Sequence, residues 1–412
     1  MKITDLEMFA VPPRWLFLKV STDEGLCGWG EPIVEGRAET VRAAVEELRD
    51  VLIGQDPRRI EDLFQVMYRG GFYRGGPVLT SAISGVEQAL WDIKGQALGV
   101  PVYELLGGPV RDRVRVYAHI GGETPEELAR AGQAQVAHGY TALKIGVVSQ
   151  ADYAESPAVV DRAVAMMGTL RGAVGRDVRI GIDFHGRVHR PLAKVLARAL
   201  EEFQPMFYEE LVLPEHNDAL RDVASSCSVP LATGERIFTR WGFRDLLASG
   251  LFDIIQPDVS HCGGIFELRK IAAMAEAYDV AVAPHCPLGP LTLAASLQVD
   301  FCTPNAIIQE QVLNVHAYGQ GGPSDPVSPG PPVGGEGERP ERSDLPRLSL
   351  PTSLPSYVSS GQPVFRNGFL ERSDRPGLGL TIDEERVREA ARVGHRWRNP
   401  IQRGEDGSFQ EW

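Results

Sequence analysis

The sequence predicts an α/β protein: a (β/α)8-type barrel preceded by a smaller α+β capping domain. Three observations lead there. First, polar groups recur at near-equal intervals, each closing a short apolar run. They are Lys144 in TALK, Asp183 and His185 in RIGIDFH, Glu209 in MFYEE, Glu235 in PLATGE, Asp258 in DIIQPD, His285 in AVAPH and Glu310 in AIIQE. From Asp183 the steps are 26, 26, 23, 27 and 25 residues. One strand, one helix and two loops of such a barrel take roughly 30 residues, and their C-terminal rim is where chemistry is placed. Second, from about Val114 to Asn314 apolar strands alternate with amphipathic helices, the order that builds a parallel sheet. Third, the N-terminal region runs strands first and helices afterwards, which marks a separate unit.

In order, KITDLEMFAV and WLFLKVSTDEGLCGWGEP read as three short strands with a turn at Asp23-Glu24-Gly25. Apolar residues three and four apart then predict helices over Thr40–Ile53, Ile60–Tyr68 and Leu79–Leu98. Between the last two, RGGFYRGGP (Arg69–Pro77) is too glycine-rich for either element and reads as a mobile loop. Within the barrel, Pro191–Phe203, Ala219–Cys227 and Ile265–Tyr278 give the clearest helical spacing. From Gly319 to Pro363 the chain is dense in Pro, Gly and Ser, a composition that cannot bury enough apolar surface to order itself. The expected organisation is therefore a cap at 1–113, a catalytic barrel at 114–316, a flexible insertion at 317–363 and a tail at 364–412 that packs back on the fold.

With 412 residues, 43% of them hydrophobic, the chain has material for both units. A net charge of −13 with no Lys/Arg-rich run excludes nucleic acid and anionic membranes as expected partners. The five cysteines form no Cys-x-x-Cys pair, so neither a disulfide framework nor a zinc knuckle is indicated. Without a signal peptide or a bilayer-length apolar run, the expected location is the cytoplasm. A small molecule and further copies of the chain, as a homo-oligomer, are the partners left.

A single acid after a strand is usually a helix N-cap or a surface ion-pair partner. Asp183, Glu209 and Glu235, at successive repeats, instead point to a metal site, and three hard oxygen ligands suit Mg2+. His185 follows Asp183 by two residues, which on a strand aims both side chains at one cavity. His285 and Asp258 close neighbouring strands, where the carboxylate can fix the imidazole tautomer and raise its basicity. Strands three and seven face each other in a ring of eight, so the two histidines are expected on opposite sides of a substrate. Lys144 is a candidate contact for a substrate carboxylate, or a rim lysine in a surface ion pair. Arg14, in the cap segment VPPRW, is a second candidate substrate contact. Glu310, close to other acids, is expected to have a raised pKa.

These residues, in this order, resemble the enolase superfamily and its mandelate-racemase branch. VPPRWLFLKVSTDEG, LIGQDPRRIEDLFQVMYRGGFYRGGP, QALWDIKG, DFHGRV, QPDVSHCGG, MAEAYDV, APHCPLGP, WRNP and EDGSFQEW look like segments of that branch's galactonate dehydratases. The resemblance implies Mg2+ on Asp183, Glu209 and Glu235, His285 as general base supported by Asp258, His185 as general acid, and Glu310 stabilising the intermediate. It also implies a cap and tail that close over the barrel. The chain departs from the pattern at Leu211, at Gly146 and in the insertion; Gly146 removes a polar contact beside the substrate. The implied reaction is dehydration of a sugar acid. Its rivals are dehydration of an epimeric aldonate such as gluconate, inversion at C2 by a racemase or epimerase, and sugar-acid binding without catalysis.

Overall fold

The structure, a computed structural model, describes residues 1–149, 151–313, 357–404 and 406–411. The cap begins with an antiparallel sheet of β1 (Ile3–Val11), β2 (Trp15–Thr22) and β3 (Cys27–Gly30). Helices α1 (Ala38–Glu47), α2 (Ile60–Arg69) and α3 (Pro77–Leu98) follow. Residues 70–76, the glycine-rich segment, join α2 to α3 without regular structure, and Phe72 and Tyr73 on it stand exposed. Helix α3 is buried on nearly every side because it lies between the cap sheet and the barrel. A helix in that position is expected to be apolar all round. Yet α3 buries Ser81, Ser84, Glu87, Gln88 and Asp92, and each reaches a partner.

After β4 (Arg113–Arg115) the parallel sheet runs β5 (Ala118–His119), β6 (Ala142–Ile145), β7 (Arg179–Asp183), β8 (Phe207–Glu209), β9 (Leu231–Thr233), β10 (Ile254–Ile255) and β11 (Ala281–Val282). Parallel bridges from Ala306 to Val282 and from Gln309 to Val116 place the next segment between the two edges and close the ring of eight. Tyr117, Ala142, Phe207, Ala232, Ile254, Ala283 and Ile308 fill its interior. The connecting helices include α4 (Pro125–Ala137), α5 (Pro157–Val174), α6 (Arg190–Glu201), α7 (Thr239–Ala248), α8 (Ile265–Ala277) and α9 (Pro290–Phe301).

Two sequence expectations change. Ala219–Cys227 holds only one turn of α-helix, Arg221–Ala224, after a 3-10 stretch at Pro214–Leu220. Only Leu220 and Val223 are buried there, and the hydroxyls of Ser225 and Ser226 bond the Asp222 carbonyl, so little favours a longer helix. Most of the expected insertion lies outside the described residues, but Tyr357–Pro363 does not. Tyr357 packs edge-on against Trp15 and Phe17, and β12 (Val358–Ser360) pairs with β13 (Thr381–Ile382). Structure thus resumes before Val364. The tail then lays α10 (Glu384–Val393) on the cap sheet, with ion pairs from Lys19 to Glu384 (2.8 Å) and from Arg388 to Glu7 (2.8 Å). No helix among the described residues is long and apolar enough to cross a membrane.

Cap and barrel are joined through helix ends. Helices α8 and α9 start at glycines, Gly264 and Gly289, with no capping side chain of their own. Carboxylates from the cap do that work. Glu87 accepts from the N–H groups of Ile265 (2.7 Å) and Phe266 (2.9 Å), and Glu31 from those of Gly289 (2.8 Å) and Thr292 (3.1 Å). A side-chain oxygen that accepts from the first N–H groups stabilises a helix start. A Cβ on Gly264 would stand 2.2 Å from Glu87 Oε2, and one on Gly289 2.4 Å from Glu31 Oε1, so only glycine admits the visiting carboxylate.

Burial pushes the Glu87 carboxyl from its ordinary 4.5 up to about 8, against the pull of its N–H donors. The folded state therefore holds a proton that the unfolded chain releases near pH 4.5. That contribution is complete below this range and lost as pH rises through about 8. Stability from denaturant titrations should fall with pH across this window, and Glu87→Gln should flatten the fall.

Candidate functional site

The expected residues converge on the C-terminal mouth of the barrel. Asp183 and Glu209 end the neighbouring strands β7 and β8 and are paired in register. Glu235 follows β9 by two residues, and Asp258 and His285 form a backbone bridge beyond β10 and β11. Lys144 does not lie on the rim. It is 3% exposed, and its ammonium sits among Glu209 Oε1 (2.5 Å), Asp183 Oδ2 (2.9 Å) and Glu310 Oε1 (2.9 Å). Burial works against this ammonium, but the three carboxylates outweigh it and hold its pKa well above the ordinary value.

His285 Nδ1 lies 2.8 Å from Asp258 Oδ2, leaving Nε2 toward the cavity, 3.3 Å from Glu235 Oε2 and 3.8 Å from Glu310 Oε2. Burial lowers this imidazole's pKa; Glu235, Glu310 and Asp258 push harder and raise it well above the ordinary range. His185 does enter the Asp183 cavity, with Nε2 3.3 Å from Asp183 Oδ2, but not by strand alternation. Strand β7 ends at Asp183; His185 is left-handed (φ 51°), and its N–H donates to Asp183 Oδ1 at 2.9 Å. Its side chain keeps 36% exposure, and burial of the rest lowers its pKa.

Glu310 differs from the expectation. Burial alone would raise its pKa, but Lys144, His285 and His119 hold it well below the ordinary carboxylate value. His119 Nε2 is 2.8 Å from Glu310 Oε1, and the N–H of Cys286 donates to Oε2 at 2.8 Å. Sequence reasoning missed His119, although a signal existed: it closes the first barrel strand 25 residues before Lys144, on the same repeat. It also missed Gln256, which donates to Glu209 Oε2 at 2.6 Å. Arg14 reaches the Pro287 carbonyl (3.2 Å), two residues past His285, and pairs with Glu35 (3.2 Å). Leu211 is buried. Gly146 stands exposed past β6, and a Cβ there would meet only the Asp183 carbonyl, at 3.7 Å.

Among the described residues no three His, Cys, Asp or Glu side chains are grouped as a metal shell. Asp183 and Glu209 close on Lys144, while Glu235 lies against His285. The donor chemistry nonetheless fits a hard divalent cation. The oxygens are all carboxylate, Glu209 is fully buried, and its pKa is raised well above the ordinary value by burial and then by the charge of Asp183. Glu210 beside it is pushed up to about 8 by burial and by Glu235. Negative charge exceeds what Lys144 can balance.

The chain matches two family models: the N-terminal domain of mandelate racemase / muconate lactonizing enzyme over residues 12–107, and the enolase C-terminal domain-like family over 126–386. It belongs to the enolase superfamily, in the mandelate racemase branch. Within that superfamily it is 50% identical to D-galactonate dehydratase of Ralstonia nicotianae over 413 residues, and 49% identical to that of Variovorax paradoxus over 414, covering all of each chain. Among solved structures it is similar to an Agrobacterium radiobacter enolase with bound Na and L-malate, provisionally assigned as a galactarate dehydratase. The TM-score is 0.85 and the identity 33%, with both chains fully covered.

Lys144→Met should leave Asp183, Glu209 and Glu310 without their shared cation. Chelator-treated protein should then lose about 3–5 kcal/mol of unfolding free energy. Asp183 and Glu310 are held low in the fold, so this stabilisation is present above the ordinary carboxylate range and disappears as pH falls. An unchanged denaturation midpoint at neutral pH would overturn this account of Lys144.

Proposed function

We infer that this chain is a Mg2+-dependent hydro-lyase that converts D-galactonate to 2-dehydro-3-deoxy-D-galactonate. The observation that carries the reading is the buried Asp258–His285 pair, set against the carboxylate cluster of a chain half identical, end to end, to D-galactonate dehydratases. Asp183, Glu209 and Glu235 would hold the Mg2+. The ion would supply electrostatic stabilisation of the charge that builds on the substrate carboxylate when the C2 proton leaves.

The chain's own residues divide the proton work. Asp258 keeps one proton of His285 on Nδ1, so Nε2 is the nitrogen that would take the C2 proton, once a cation on Glu235 has offset part of the charge that otherwise holds Nε2 protonated. His185, with Nε2 3.3 Å from Asp183 Oδ2, would protonate the departing C3 hydroxyl. The enol that remains becomes the 2-keto product. Glu310, held as a carboxylate, accepts hydrogen bonds rather than donating them, and so orients Lys144 and His119 at the mouth. Acid and base assistance each contribute about 10²–10⁴-fold.

Glu209→Gln should weaken Mg2+ binding in calorimetry and lower kcat with it; full turnover by chelator-treated wild type would end the metal reading. His285→Asn should abolish both dehydration and exchange of the C2 proton with deuterium. His185→Asn should block loss of the C3 hydroxyl. The decisive contrary result is exchange that survives in His285→Asn and vanishes in His185→Asn, which would reverse the two roles. Across a panel of aldonates with Mg2+, D-galactonate should give the highest kcat/KM; preference for gluconate would move the assignment to that epimer.

A further inference from the structure

Behind Asp258 and His285, away from the cavity, four buried residues from both domains close a hydrogen-bonded ring. The Thr292 N–H donates to Glu31 Oε2 (3.1 Å), and Thr292 Oγ1 lies 2.8 Å from Ser260 Oγ. Ser260 Oγ accepts from Gln88 Nε2 (3.0 Å), and Gln88 Oε1 accepts from the Glu31 N–H (2.9 Å). All four are essentially without solvent exposure. Gln88 Nε2 also donates to the Val259 carbonyl (3.3 Å), so it grips the chain at both residues following Asp258. The Ser260 N–H in turn donates to Asp258 Oδ1 at 2.7 Å, which leaves Oδ2 to His285 Nδ1.

We propose that this ring of Glu31, Gln88, Ser260 and Thr292 positions the Asp258–His285 pair, making Gln88 and Thr292 positioning residues for the proton abstraction at C2. Asp258 makes one hydrogen bond with each oxygen, and the orientation of its carboxylate decides where the imidazole points. The ring fixes Ser260 from two sides, through the cap (Gln88) and through α9 (Thr292). Glu31 adds a second hold, because it also anchors Gly289, four residues past His285. Both members of the pair therefore take their places from one network, and buried networks with every member satisfied impose a single geometry. Misplacing a reacting group by about 1 Å can cost 10²-fold in rate. The proposal rests on His285 being the base.

Thr292→Val keeps the shape and removes the hydroxyl; Thr292→Ser keeps the hydroxyl and removes the methyl. Assayed with D-galactonate and Mg2+, the valine variant should lose about tenfold in kcat, the size typical of lost outer-sphere partners. Its KM and Mg2+ affinity should hold, and its C2 proton exchange should fall by the same factor as kcat. The serine variant should stay close to wild type. Gln88→Met carries the same test should Thr292→Val not fold. Wild-type kcat in a folded valine or methionine variant overturns the proposal, and so does an equal loss in valine and serine variants, which would assign the effect to packing. Undiminished exchange in His285→Asn would instead remove the base itself, a result separate from either.

Discussion

Buried negative charge is the constraint around which this molecule is arranged. Asp183, Glu209, Asp258 and Glu310 are all but withdrawn from water at one end of the barrel. Unpaired, each would cost several kcal/mol. The fold meets this with one ammonium, Lys144, threaded among three of them, an imidazole on the fourth, and backbone or amide donors on the oxygens that remain. The balance stays short of neutral. Lys144 and His285 are accordingly held in their charged forms more firmly than usual.

The cap is held to the barrel by a related device. Glu31 and Glu87 lie beneath the cap as buried acids, and they are tolerated there because two helix N-termini point at them. The helices that begin at those points, α8 and α9, follow directly on the loops that carry Asp258 and His285. Holding the domains together and placing the Asp258–His285 pair are thus one structural task rather than two.

Much of the mouth was legible in the sequence because a barrel repeat places one residue of each strand at the rim. Asp183, Glu209, Glu235, Asp258, His285 and Glu310 follow that period, and so does His119, which lacked only a neighbour to lend it meaning. Periodicity places residues but says nothing of contacts across the ring. It could not show that Lys144 turns inward, or that Glu310 is acidified by Lys144, His285 and His119, from three different repeats. His185 reaches its place through a left-handed backbone that strand alternation cannot anticipate. Glu31, Glu87 and Gln88 carry no signal at all, since their partners lie some 170 to 260 residues away in the chain. The Ala219–Cys227 spacing misled because a helical pattern with two buried residues has little to pack.

The two glycines at the starts of α8 and α9 bear on how such a protein can change over time. At each, a residue of the other domain fills the space a side chain would need. At Gly264, whose φ of 98° already favours glycine, an added Cβ would also meet Glu87, and loss of Glu87 leaves the first turn of α8 without its acceptor. Neither half of the pair can drift alone. Cap and barrel therefore do not recombine as independent modules: a new cap must also bring the two glutamates, or the barrel beneath it must first relearn how to begin its last two helices.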